Sequence, residues 1–189
     1  MWSAGRKAVH PGVSLIRIAH VINQLETGGM ERLLVEFARH ADRDRFELEF
    51  VCLGTRGPIA STLESLGWTV STLEMKPGLR PGAMISLARV FRSSRIDLVH
   101  THNTKPLLYA AVAAKAAVVP RLIHTCHGQQ VGISRRQGVA FALASRAAAR
   151  LVCVSGATLQ ATVDVGVSRE ALIAVENGIL TLVQCTIAN

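Results

Sequence analysis

Aromatic residues make up only 4% of this 189-residue chain, so ring packing cannot build its core. The apolar fraction is nevertheless 49%, and it must come mainly from Leu, Val, Ile and Ala. That composition suits buried parallel strands covered by Ala-rich helices, and it is too apolar for a disordered chain. Cysteine is sparse: Cys52, Cys126, Cys153 and Cys185 form no CxxC pair, which excludes a zinc ribbon or a dithiol redox motif. Three of the four lie in strand-like apolar runs and read as buried, reduced thiols of a cytoplasmic protein. Long apolar runs are missing too. The best, Leu107–Val119, contains Lys115 and is too short to span a bilayer. Arg6 and Lys7 precede the run Val13–Ile22, but Arg17 and His20 interrupt it and no small-residue cleavage site follows. A first core strand is therefore a better reading than a signal peptide.

Acidic residues are the scarcest functional resource. There are 13 against 21 Lys plus Arg, a formal charge of +8, and Asp164 alone lies between Asp97 and Glu170. No carboxylate pair marks a glycosidase. HTHNTK and HTCHG bring histidines close together, but the acidic ligands that HxH metal hydrolases add on later strands are missing, so no metal is expected. The glycine patterns GxGxxG and GxxxxGK[ST] are absent, against a nicotinamide dinucleotide site and a P-loop. VCVSGA is not GxSxG, so Ser155 reads as a helix cap and not a nucleophile. The positive charge fits phosphorylated ligands, anionic lipid or simply solvated helix faces. With no aromatic platform or recognition motif, no nucleic-acid partner is expected.

What is present is a near-continuous alternation of strands and helices. Strands are predicted at Leu15–Ile22, Phe46–Leu53, Thr69–Leu73, Ile96–Thr101, Leu122–Cys126, Leu151–Val154 and Leu172–Val175. The first helix opens at Gly28–Gly29 and places Met30, Leu33, Leu34, Phe37, Ala38 and Ala41 at i, i+3, i+4, i+7 spacing. Pro58 starts a short second helix, and the third turns Met84, Leu87, Ala88 and Phe91 inward with Arg89, Arg92 and Arg95 outward. Pro106 starts an Ala-rich fourth helix, a fifth runs over about Arg135–Ala149, Ser155 caps a sixth, and Ser168 caps a final turn. Strand–helix units of this length imply parallel strands with right-handed crossovers: an α/β, Rossmann-like doubly wound parallel sheet.

In such a sheet ligands sit beyond the carboxyl ends of the strands, and three of those ends carry unusual residues. NQLETGGME puts two glycines at a helix start, where free amides and the helix dipole favour an anion; a plain tight turn is the alternative. In HTHNTK, strand alternation puts His100 and His102 on one face and Thr101 on the other, leaving Asn103, Thr104 and Lys105 in a loop. In HTCHG, His127 stands at a strand end with Gly128 permitting a sharp exit, and such a histidine can hydrogen-bond a sugar hydroxyl or a phosphate.

The GGME loop, VHTHN, HTCHG, LVCVSGATLQ and VENGI follow one another in order, and together they resemble the N-terminal domain of the family-four retaining glycosyltransferases, which have the GT-B fold. The likeness runs from about Leu15 to Ile179. It implies a single N-terminal half of a GT-B enzyme: residues 1–14 an extension, 15–178 the acceptor-side domain, 179–189 a truncated linker. It further implies Gly28, Gly29 and Glu31 near the donor phosphates and acceptor, and His127 facing the transferred sugar as the catalytic position. His102, Asn103, Lys105 and Gly128 would line the acceptor side, and Asn177–Gly178 would enter the linker. The partners it implies are a nucleotide-sugar donor, held by a C-terminal domain outside these residues, and a glycan or lipid-linked acceptor. No cofactor is implied. The isolated chain would transfer little or no sugar. Alternatively it is a non-catalytic acceptor- or membrane-binding module, or half of a split enzyme. The basic amphipathic helix around Met84–Arg95 suits peripheral contact with the cytoplasmic membrane face, or equally a solvated face.

Overall fold

A computed structural model describes residues 15–76, 78–128 and 134–175. Seven strands form one fully parallel sheet: β1 (Ile16–Ile22), β2 (Phe46–Cys52), β3 (Thr69–Thr72), β4 (Leu98–His102), β5 (Arg121–Cys126), β6 (Arg150–Cys153) and β7 (Leu172–Ala174), in the order β3-β2-β1-β4-β5-β6-β7. Six α-helices connect them: α1 (Gly29–His40), α2 (Gly57–Ser65), α3 (Pro81–Ser93), α4 (Thr104–Ala117), α5 (Arg135–Ser145) and α6 (Gly156–Asp164). The chain winds outward from β1 to β3, then returns to β4 beside β1 and winds the other way. Right-handed crossovers therefore place α1 and α2 on one face and the later helices on the other. This is the doubly wound sheet expected from the strand–helix pattern.

Two apolar layers sandwich the sheet. Leu34, Phe37, Ala38 and Leu63 pack on Ile18, Leu48 and Phe50 on the α1–α2 face. Leu87, Phe91, Leu107, Ala110 and Phe141 pack on Val21, Val99 and Leu122 on the other. Each fully buried large side chain contributes about 1.5–3 kcal/mol. The small faces of α4 let it approach closely: Ala110 and Ala113 are fully buried.

Several local readings need correction. Leu33 is exposed and Val35 is buried instead, so the buried stripe of α1 is rotated by part of a turn. β4 starts at Leu98 and includes His102, and α5 stops at Ser145, short of Ala149. α4 begins at Thr104, two residues before Pro106. Proline costs no hydrogen bond there, because the first amides of a helix have no intrahelical acceptor. Thr104 and Lys105 are thus the first turn of α4 and not loop. Ser155 caps α6 as expected, its Oγ accepting from the Thr158 amide at 3.1 Å. Ser168 precedes a short 3-10 turn (Arg169–Ala171) without capping it. Cys52, Cys126 and Cys153 are buried and free, each at the end of a strand. Asn177, Gly178, Cys185 and the segments 1–14 and 179–189 lie outside the described residues.

Candidate functional site

The winding direction reverses between β1 and β4, so their connections leave in opposite directions and a crevice opens at their carboxyl ends. β5 lies next to β4, which sets the loops after β1, β4 and β5 side by side. These are the three segments singled out above.

The β1 loop leads to Gly28, the extended N-cap of α1 (φ −152°, ψ 172°), with no side chain capping the helix. Its first amides are therefore available to a ligand. The Glu31 carboxylate folds back against Gly28, where an added Cβ would collide with it, whereas a Cβ on Gly29 would meet nothing within 4 Å. A carboxylate in the first turn already complements the helix dipole, so this end suits a hydroxyl that Glu31 can bind as well as an anion. Asn103, exposed at the exit of β4, has φ 68°. With ψ 166° it lies outside the left-handed helical region, in extended backbone of positive φ that residues other than glycine rarely adopt.

The histidines divide between the faces of the sheet. On the α1 side, His20 pairs in register with His100. His20 Nδ1 lies 3.1 Å from His102 Nε2, and His102 Nδ1 lies 2.9 Å from His127 Nε2. His100 Nε2 bonds Thr125 Oγ1 at 2.8 Å. On the other face His124 Nδ1 meets Thr101 Oγ1 at 2.8 Å, beside the edge of Phe141. The expected alternation of His100 and His102 against Thr101 therefore holds. The two histidines are partnered by side chains, and both lie in the strand.

Burial governs their charge. It lowers His20 and His124 to about 3 and His127 to about 4, from an ordinary 6.5. His100 and His102 fall well below the ordinary value, through burial first and neighbouring histidines second. All five are neutral at pH 7. His20, His100 and His102 each offer a ring nitrogen within 4.8 Å of the other two, a spacing that could hold a metal ion. To join such a set, His102 would have to give up one of its two ring hydrogen bonds.

A cleft of about 860 Å³ lies between the strand ends, the β3–α3 loop, α4 and α5. Lys105 and Arg136 supply its charge, and Leu79, Leu108 and Met75 its apolar wall. The Tyr109 hydroxyl ties wall to roof: it accepts from the Arg80 amide at 2.9 Å and donates to the Gly78 carbonyl at 3.3 Å. Of the residues proposed from sequence, His102 and His127 are joined directly and Lys105 lines the cleft. Gly28, Gly29 and Glu31 form the helix start after β1; Asn103 and Gly128 are exposed at their strand ends. Sequence reasoning missed His20, Tyr109 and the cleft position of Arg136. His20 looked only like an interruption of an apolar run, and a polar residue inside an otherwise buried strand was the available signal.

The glycosyltransferase family 4 profile matches residues 27–181. An Escherichia coli UDP-Gal:alpha-D-GlcNAc-diphosphoundecaprenol alpha-1,3-galactosyltransferase is 27% identical over 151 residues, spanning 75% of this chain and 39% of that enzyme. The Staphylococcus aureus capsular polysaccharide biosynthesis glycosyltransferase CapH is 32% identical over 91 residues, 47% of this chain and 24% of its own length. Among solved structures, Anabaena HepE in complex with UDP and glucose superposes with a TM-score of 0.70 at 22% identity, over 87% of this chain and 45% of HepE. The chain thus spans less than half the length of these relatives, and the structural likeness confirms a GT-B half.

Proposed function

The chain belongs to glycosyltransferase family 4, and on that premise we propose that it forms the acceptor side of an enzyme that moves a sugar from a nucleotide-sugar to a glycan or lipid-linked acceptor, with retention. The observation that carries the reading is His127, held by His102 at the end of β5, in the loop cluster that also contains the open helix start at Gly28–Gly29. Loss of a nucleoside diphosphate develops negative charge, and uncapped helix amides stabilise it. His127 is neutral and can hydrogen-bond a sugar hydroxyl. Glu31 and Asn103 offer polar groups to the acceptor.

The cleft supports a lipid-linked acceptor. Lys105 and Arg136 complement a diphosphate, while Leu79 and Leu108 give the start of a lipid chain an apolar path. The E. coli relative is named for such an acceptor. The outer surface of α3–α5 is compatible with approach to a membrane. Ile85, Val112, Val139 and Leu143 are exposed there, among Arg89, Lys115, Arg135 and Arg146. No helix among the described residues is long and apolar enough to cross a membrane. The contact proposed is peripheral, at the cytoplasmic face.

Transfer from UDP-galactose or UDP-glucose to a diphosphoundecaprenol-linked sugar tests the proposal, with the product anomer read by NMR. The 189 residues are assayed alone and joined to a donor-binding half. Transfer is expected only in the joined enzyme, and His127→Ala should lower it at least about 100-fold, the scale of losing one positioned polar group. An inverted product, or full activity in His127→Ala, would refute the reading. Acceptor binding by the 189 residues with no transfer in any pairing would instead favour a non-catalytic binding module.

A further inference from the structure

His20, His102 and His127 come from β1, β4 and the exit of β5, and their rings form one continuous line. His20 and His102 lie end to end with ring centres 5.4 Å apart and planes within 17°, and His102 and His127 follow at 5.2 Å and 31°. The line is bonded nitrogen to nitrogen, Nδ1 of one ring to Nε2 of the next, at 3.1 and 2.9 Å. Its inner end is fixed. His20 is fully buried, stacked on Phe50 at 5.1 Å and tilted against Phe37 at 5.0 Å.

A hydrogen bond between two imidazoles needs one N–H and one lone pair, and a neutral ring has one of each. The proton on any one ring therefore determines the other two. If His20 carries its hydrogen on Nδ1, it donates to Nε2 of His102, which must then carry its own on Nδ1 and donate to His127. If His127 carries its hydrogen on Nε2, the chain runs inward and all three rings are protonated on Nε2. Any mixture turns two hydrogens or two lone pairs toward each other. A doubly protonated His102 could donate both ways, but its full burial and the adjacent His100, His127 and His20 disfavour that charge. His100 stands outside the chain: its Nε2 bonds Thr125 and its Nδ1 has no partner.

We propose that His20 and His102 are positioning residues that tie the tautomer of His127 to their own through this unbroken ring-to-ring chain, and that the run points outward because the buried Nε2 of His20, which has no partner, tolerates a lone pair better than a hydrogen. The inference rests on reading His127 as the group that faces the sugar. Its outward nitrogen, Nδ1, is then wholly a donor, and it selects sugar hydroxyls by the direction of their hydrogen bond. A lone surface imidazole would present both.

The test is a long-range ¹H–¹⁵N correlation spectrum of the ¹⁵N-labelled 189-residue chain at pH 7, which distinguishes protonated from unprotonated ring nitrogens. His20, His102 and His127 are expected to share one tautomer. Opposite tautomers in either adjacent pair, or a doubly protonated His102, overturns the proposal without any variant. His20→Phe keeps the stacked ring on Phe50 but removes Nδ1, and His127 should then populate both tautomers. His20→Asn, with its amide N–H turned toward His102 Nε2, should restore one. An unchanged His127 tautomer in a folded His20→Phe protein also overturns the proposal. Failure of the function reading is separate: it shows as unimpaired sugar transfer by His127→Ala and leaves the wild-type spectrum as it is.

Discussion

Lowering the pH from 7.5 to 5 should strongly destabilise this domain, and its buried histidines set the size of the effect. His20, His100, His102 and His124 are at most 2% exposed and neutral in the native state, their pKa values lowered by burial to about 3 for His20 and His124 and well below 6.5 for His100 and His102. The unfolded chain binds protons at these rings near pH 6.5, and the native chain does not. The neutral form dominates both states above pH 6.5, so stability there is unaffected. It falls as the pH drops below the unfolded value and stops falling only below the native values. At pH 5 His20 and His124, held at about 3, each shift the balance by about 2 kcal/mol, about 4 kcal/mol together, and His100 and His102 act in the same direction. That is a large share of the stability of a typical domain, about 5–15 kcal/mol. The window lies above the ordinary carboxylate range, which isolates the histidine contribution. Urea denaturation followed by circular dichroism at half-unit pH steps should show the logarithm of the unfolding constant rising as the pH falls, with a slope of at least about two protons. A stability flat to pH 5, or a slope of one proton or less, would refute the buried-neutral assignment.

Gly29→Ala should leave the fold intact, because an added Cβ meets nothing within 4 Å, while obstructing a ligand at the α1 amides. Melting temperature unchanged or slightly raised, with transfer by the joined enzyme lost, is the expected pair of results. Gly57→Ala should do the reverse to stability. Gly57 has φ +60° and its Cβ would strike the Leu25 carbonyl, so a loss of about 1–3 kcal/mol is expected, read as a melting temperature lower by several degrees. Vesicles with anionic lipid should sediment the protein more strongly than neutral ones, and Ile85→Asp with Leu143→Asp should weaken binding to both. Equal sedimentation irrespective of lipid charge would remove the membrane proposal.

Element order was legible because periodicity is a local property. The apolar face of α3 and the Ser155 cap need only neighbouring residues to be read, and both were placed correctly. The stripe of α1 was misread at Leu33 and Val35, where two apolar neighbours compete and only the tilt of the helix on the sheet decides. Pro106 predicts the start of α4 because proline favours a first turn, but the first turn has several positions, and Thr104 and Lys105 precede it. The site was partly visible as histidines and glycines at strand ends. His20 was not, because its role depends on β1 lying beside β4, and strands 80 residues apart become neighbours only through the reversal of winding. Tyr109 and Arg136 were hidden for the same reason: the cleft they share is made by α4, α5 and the β3–α3 loop together.

The polar layer around β4 also acts as a gauge of strand alignment. Hydrocarbon packing tolerates small sliding, but hydrogen bonds between side chains do not. His100 meets Thr125 and His102 meets His20 on one face, while Thr101 meets His124 on the other. Sliding β4 by a single residue would exchange its two faces and leave those groups buried without partners. The central strand is therefore located along its own axis by directional bonds, and most tightly at the end from which Asn103 and α4 depart.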